Sequence, residues 1–210
     1  MLRLASFLAG ILVLAALWIA PLGEILPGPF SRHMTMHMGV VAIAAPLLAA
    51  GIVQGRFDPV TRAPVLFAPI LASVVELVVV WAWHAPALHH AASRSSGVFV
   101  LEQASFLASG LLLWLAVLGG NALEREARAA SGILALLLTS MHMTLLGALL
   151  ALPPRPLYVH AAHGPHDALD EQHLGGAIML IVGGVVYLAG GLLLTVDLLR
   201  RRAIQPRGAS

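Results

Sequence analysis

The sequence has no cysteine and no lysine, and only 10% of its 210 residues are charged. Without cysteine there are no disulfides, iron–sulfur clusters, thiolate zinc sites or thiol redox chemistry. A metal would have to be held by His, Met, Asp or Glu. The shortage of charge excludes as much. An average soluble domain is about 25% charged, and a chain with so little charge cannot cover a water-facing surface. A soluble enzyme and a disordered tail are therefore ruled out. The twelve basic residues are all Arg and are dispersed, so neither the net charge of +2 nor the pI of 9.9 builds a basic stripe for nucleic acid.

What the chain has instead is apolar length. Hydrophobic residues make up 59% of it and the mean hydropathy is +0.89. A membrane-spanning helix needs roughly 20 mostly apolar residues, and six such runs are present, about 4–20, 34–53, 65–83, 98–118, 131–152 and 174–197. Turn formers separate them: Pro21, Pro27 and Pro29, then Gly55 and Pro59, Pro86, Gly119 to Asn121, and Pro153, Pro154 and Pro156. The expected fold is all-α, a single polytopic membrane domain over residues 1–210 built as a bundle of six transmembrane helices. The first run is longer than a signal-peptide core, and no convincing small-x-small site follows Ala20, so it reads as a span.

Arginine placement sets the expected orientation. One side of this map carries Arg3, Arg56, Arg62, Arg125, Arg128, Arg200, Arg201, Arg202 and Arg207; the other carries Arg32, Arg94 and Arg155. Both termini are thus expected in the cytoplasm. In a bacterial inner membrane, the loops near 21–33, 84–97 and 153–173 then face the periplasm.

The ten histidines avoid the arginine-rich side. His33 and His37 open the second span, His84, His89 and His90 close the third, and His160, His163, His166 and His173 precede or open the sixth. His142 alone lies near mid-membrane. Six methionines share the bias: Met34, Met36, Met38, Met141, Met143 and Met179. A single interfacial His is usually a solvated polar residue and a Met in a span is usually packing, but independent residues would populate both faces.

Spacing sharpens the pattern. His33 and His37 are four apart and share a helical face, as do Met34 and Met38 about a third of a turn round. Asp170 and His173 are three apart. Imidazole with thioether and no thiolate suits copper. Zinc held by His and carboxylate is the main competitor, and haem b between two imidazoles, for example His37 and His142, is another. The expected ligands are His33, His37, His84, His142, Asp170 and His173, with Met34, Met36, Met38 and Met141 as soft donors. Glu102, Gln172 and Glu76 are expected beside them. A carboxylate at membrane depth needs a partner or a polar cavity, and Glu76 stands ~12 Å from His84 along a helix. No nucleophile–base pair is evident, so turnover of a covalent substrate is not expected.

Several pieces of the sequence together resemble the multi-spanning CtaG family of cytochrome c oxidase assembly factors. They are His33-Met34-Thr35-Met36-His37 followed by Ala45 to Gly51, Trp83-His84-Ala85-Pro86-Ala87-Leu88, the Phe106 to Trp114 run, and Leu169-Asp170-Glu171-Gln172-His173-Leu174-Gly175-Gly176. The resemblance implies a periplasm-facing factor that handles copper for a haem–copper oxidase. It points to His33, His37, His84 and Asp170, with Gln172 beside them. The implied partners are the lipid bilayer, an oxidase subunit and a periplasmic copper chaperone. Two other readings stay open: a haem-bearing electron carrier or oxidase accessory subunit, and a copper permease. The permease needs a polar path through the whole membrane, whereas here the polar residues crowd the outer half.

Overall fold

The structure is a computed structural model and describes residues 1–20, 28–55, 58–120, 125–158 and 165–204. All regular elements among them are helical. In chain order they are α1 (Leu2–Ile19), α2 (Pro29–Ile52), the single turn α3 (Pro59–Arg62), α4 (Pro69–His84), α5 (Pro86–Arg94), α6 (Ser96–Leu118), α7 (Arg125–Ala151) and α8 (Pro165–Ile204). Helices α1, α2, α6, α7 and α8 are each long and apolar enough to cross a membrane. The pair α4–α5, bent by 71°, makes a sixth span when taken together. The third span begins later than the apolar run suggests, at Pro69. Its 16 residues cover only ~24 Å of a ~30 Å hydrocarbon slab, and the chain then turns back as α5.

Proline and glycine place these boundaries. Pro29, Pro59, Pro69 and Pro86 each stand in the first turn of a helix, where the missing N–H leaves no bond unmade. Pro46 falls inside α2. Upstream of it, Gly39–Ala44 winds as a π-helix. The Ala45 N–H bonds the Val40 carbonyl, so the same register would give Val41 the absent N–H of Pro46. The Val41 carbonyl is taken up from outside, by Trp114 Nε1 of α6 at 3.1 Å and the Tyr187 hydroxyl of α8 at 3.5 Å.

Close packing between helices rests on small residues. Helices α7 and α8 run against each other along their length. At their crossing, a Cβ on Gly176 would lie 2.5 Å from the Ala151 nitrogen, and one on Gly147 would lie 2.7 Å from the Leu180 nitrogen. Helix α1 packs on α2 in the same manner, with Gly10 against Leu48, Gly39 against Leu17 and Gly51 against Phe7.

The two ends of the bundle differ in chemistry. At one end Arg3 donates to the carbonyls of Gly51, Ile52 and Gln54, which close α2, a favourable place for a cation. There too the buried Asp58 accepts from the backbone N–H groups of Gln54, Val60 and Gly120. Arg128 donates to the Phe67 carbonyl at 2.6 Å. The other end collects the histidines.

Candidate metal centre

Two devices hold the start of α2. Gly28 is its extended N-cap, and the Glu171 carboxylate of α8 accepts the Ser31 N–H at 3.1 Å. A negative charge there also suits the positive end of the helix dipole. A Cβ at position 28 would fall 1.5 Å from Glu171 Cδ, so a side chain there would have to displace that carboxylate. The face so oriented carries His33 and, one turn on, His37 toward α4, α5 and α6.

Pro86 turns the chain at the end of α4. Ala85 is extended (φ −63°, ψ 131°), and α5 folds back over the bundle end with His89 and Ala92 as its buried residues. Tyr158, from the segment before α8, fixes this corner. Its hydroxyl donates to the His84 carbonyl at 2.5 Å, and its ring lies 4.8 Å from Phe30 and 4.5 Å from His89. Ser95 then caps α6 by accepting the Val98 N–H, and Glu102 follows about two turns into that helix.

The outcome is an outer group of three residues that each offer a ligand atom. One ligand atom each from His33, His89 and Glu102 lie within 4.8 Å of one another. His33 Nδ1 stands 3.6 Å from Glu102 Oε2, and the rings of His33 and His89 are 4.9 Å apart at 84°. Ligands sharing an ion at about 2.0–2.2 Å each lie no more than ~4.4 Å apart. The group therefore needs only a few tenths of an ångström of side-chain movement to close on one ion. Glu102 is fully buried, and neither of its oxygens accepts a hydrogen bond among the described residues. A buried carboxylate left so costs several kcal/mol, which a cation would offset. A cleft of about 320 Å³ lined by Pro29, Arg32, Met36 and Phe99 leads to His33 and His89.

Deeper by one turn is an inner group. The rings of His37 and His84 stand 5.3 Å apart, and the Phe106 ring lies 4.0 Å from that of His37. His142 of α7 is buried as well, in a hollow shared with Ser73, Val74 and Leu77 of α4. Deeper again, Glu76 Oε1 accepts from the Tyr187 hydroxyl at 2.8 Å, and Ser73 and Thr139 share a hydrogen bond of 2.9 Å.

The remaining predicted residues have other neighbours. Met34 and Met38 point to the glycine face of α8: their side chains lie where Cβ atoms on Gly175 and Gly183 would reach. Met36 is the thioether at the outer group, lining its cleft. Met141 is 66% exposed on the surface of the bundle. Asp170 is exposed. Gln172, fully buried, donates to the Leu150 carbonyl and accepts the Leu157 N–H. His173 Nε2 donates to the Pro153 carbonyl at 2.9 Å. The segment Glu171-Gln172-His173 is therefore an anchor for backbone groups at this end. His160 and His163 lie outside the described residues, as does the side chain of His166.

The residue that spacing missed is His89. Its signals were present: Pro86 at a helix start and Ser95 as the next cap frame a nine-residue amphipathic turn-back whose buried face includes position 89.

No curated protein and no solved structure matches the chain. A family model does, over residues 1–201. The pieces at His33–His37, Trp83–Leu88 and Leu169–Gly176 that suggested the family thus build one end of the bundle, and the chain belongs to the Caa3_CtaG family of cytochrome c oxidase caa3 assembly factors.

Proposed function

We propose that this assembly factor takes up copper at His33, His89 and Glu102 and helps to deliver it to the oxidase. The observation that carries the reading is the convergence of two imidazoles and a buried carboxylate on one point beneath an open cleft. Copper is the cargo, held by ligand exchange rather than as a resident cofactor. Met36 in the same cleft supplies the soft donor that favours Cu(I) over Zn(II). The positive-inside rule places the arginine end in the cytoplasm and the histidine end in the periplasm of a bacterial inner membrane. A periplasmic copper chaperone would then be the donor and an oxidase subunit the acceptor. Electron transfer through haem b and full transport by a permease are the rival readings.

The test is metal content and a spectrum of the detergent-purified protein after loading with Cu(I). We expect bound copper, no Soret band, and loss of the outer-site ion in a His33→Ala, His89→Ala double variant. No copper on the wild type would overturn the reading, and a Soret band lost with His37 or His142 would establish the haem alternative. Copper carried across the membrane of proteoliposomes would establish the permease.

A further inference from the structure

We propose that His37 and His84 form a second cation position, one helical turn deeper than the outer group and selective for a monovalent soft ion, Cu(I). The inference rests on the copper reading for the identity of the ion; the position itself rests on the geometry of the two imidazoles.

They come from α2 and α4 and are 0% and 5% exposed. His84 Nδ1 faces the Val80 carbonyl at 2.6 Å. A carbonyl only accepts, so the proton sits on Nδ1, and Nε2 is left as a bare lone pair. This is the tautomer that binds metals, fixed by a backbone partner. His84 Nε2 and both nitrogens of His37 have no hydrogen-bond partner among the described residues. Leaving polar atoms unmatched inside a membrane is unfavourable, and a shared cation would take up one nitrogen of each ring. The 5.3 Å between the His37 and His84 rings is within reach of two imidazoles on one ion at about 2.0–2.1 Å each.

The charge of the ion follows from what is missing from this ligand set. Glu102 belongs to the outer group. Glu76 is about 12 Å from His84 along α4 and is bonded to Tyr187. The inner ligands are therefore all neutral. The penalty for burying an uncompensated ion rises with the square of its charge, so a divalent ion meets about four times that of a monovalent one. The outer group, with its carboxylate, suits either charge. His33 and His37 are neighbours along α2, about 6 Å apart in rise. An ion can therefore pass inward by exchanging His33 for His37, leaving the carboxylate behind, with no proton or electron transferred.

The experiment counts ions per chain in detergent by chelator competition. Wild type should bind two Cu(I) but one Zn(II). His37→Phe with His84→Phe, which keeps ring volume, should lose one Cu(I) and keep the Zn(II). His33→Ala with His89→Ala should lose the Zn(II) and keep one Cu(I). X-ray absorption on wild-type protein with one and then two Cu(I) needs no variant to fold, and the second ion should add imidazole scattering only. A wild-type stoichiometry of one Cu(I), unchanged by the Phe pair, would overturn the inner position and leave the copper reading standing. A wild-type stoichiometry of one Cu(I) that is lost in either double variant would show a single shared site and also overturn it. Two Zn(II) on the wild type would overturn the selectivity. No Cu(I) at all would overturn the copper reading itself.

Discussion

Glu102 offers the sharpest test, because the two roles it can play move two measurements in opposite directions. Replacing it with Gln keeps shape and one oxygen but removes the charge. A unit charge 4 Å from a carboxylate in a medium of effective dielectric about 20 gains about 4 kcal/mol. At 1.4 kcal/mol per decade, that is roughly a thousandfold in affinity for Cu(I). The amide oxygen restores part of this, so the expected loss is at least about a hundredfold. Zn(II) carries twice the charge, which doubles the free energy, so its loss should exceed that of Cu(I) by at least about a further hundredfold. The metal-free protein should respond the other way. Glu102 is fully buried, and its carboxylate oxygens accept no hydrogen bond among the described residues, so neutralising it should leave the fold as stable or raise its stability by ~1–3 kcal/mol. The assay is competitive titration of both ions alongside thermal unfolding in the same micelles. Affinities within about threefold of wild type for both ions, in a variant that keeps its fold, would refute the reasoning. So would a variant that unfolds in the absence of metal, since that outcome belongs to a carboxylate with a structural partner.

Three further outcomes follow from the packing. Gly176→Ala would drive a Cβ into the backbone of α7 at 2.5 Å, and we expect a loss of ~1–3 kcal/mol in detergent unfolding, with no relief from side-chain movement. Gly28→Ala should destabilise the start of α2 by displacing Glu171; adding Glu171→Ala should recover part of that loss if the clash is the cause, and thermal melts of the single and double variants check it. Burial holds the Tyr158 hydroxyl up at about 12, against an ordinary value of 10.0. The folded state resists ionisation, so stability should stay level up to pH 10 and fall as the pH rises toward 12. Tyr158→Phe should make that slope shallower.

Much of the fold was legible because the membrane forces it. Prolines and glycines punctuate apolar runs that have no other way to satisfy their backbone, and the histidine bias marks one end before any helix is packed. The local contacts were harder to read. Spacing of four told that His33 and His37 share a face, and that Met34 and Met38 share another, but not which neighbour each face meets. In the structure the imidazoles meet α4, α5 and α6, and the thioethers meet the glycines of α8. Pro86 was read as a break between spans. Its effect is a turn-back that returns His89 to the mouth of the bundle, and that depends on Tyr158 closing the corner. Asp170 and His173 share a face by their spacing, yet Asp170 is exposed and His173 holds the Pro153 carbonyl. Identical side chains converge on one point or fasten a backbone carbonyl, and only the third dimension separates the two arrangements.

The wide turn at Gly39–Ala44 has a consequence for how this span tolerates change. Each residue of a regular helix advances the azimuth by about 100°, so the wound-out segment acts as a fixed phase offset between the two halves of α2. The half before it aims His33 and His37 at α4 and α6, while the half after it aims Gly51 at α1. Removing one residue between His37 and Pro46 would leave hydropathy and span length almost untouched, yet would swing the imidazoles by more than a quarter of a revolution. The span is thus metered by angle rather than by thickness, and insertions or deletions that a bilayer would forgive here would disarm the cluster.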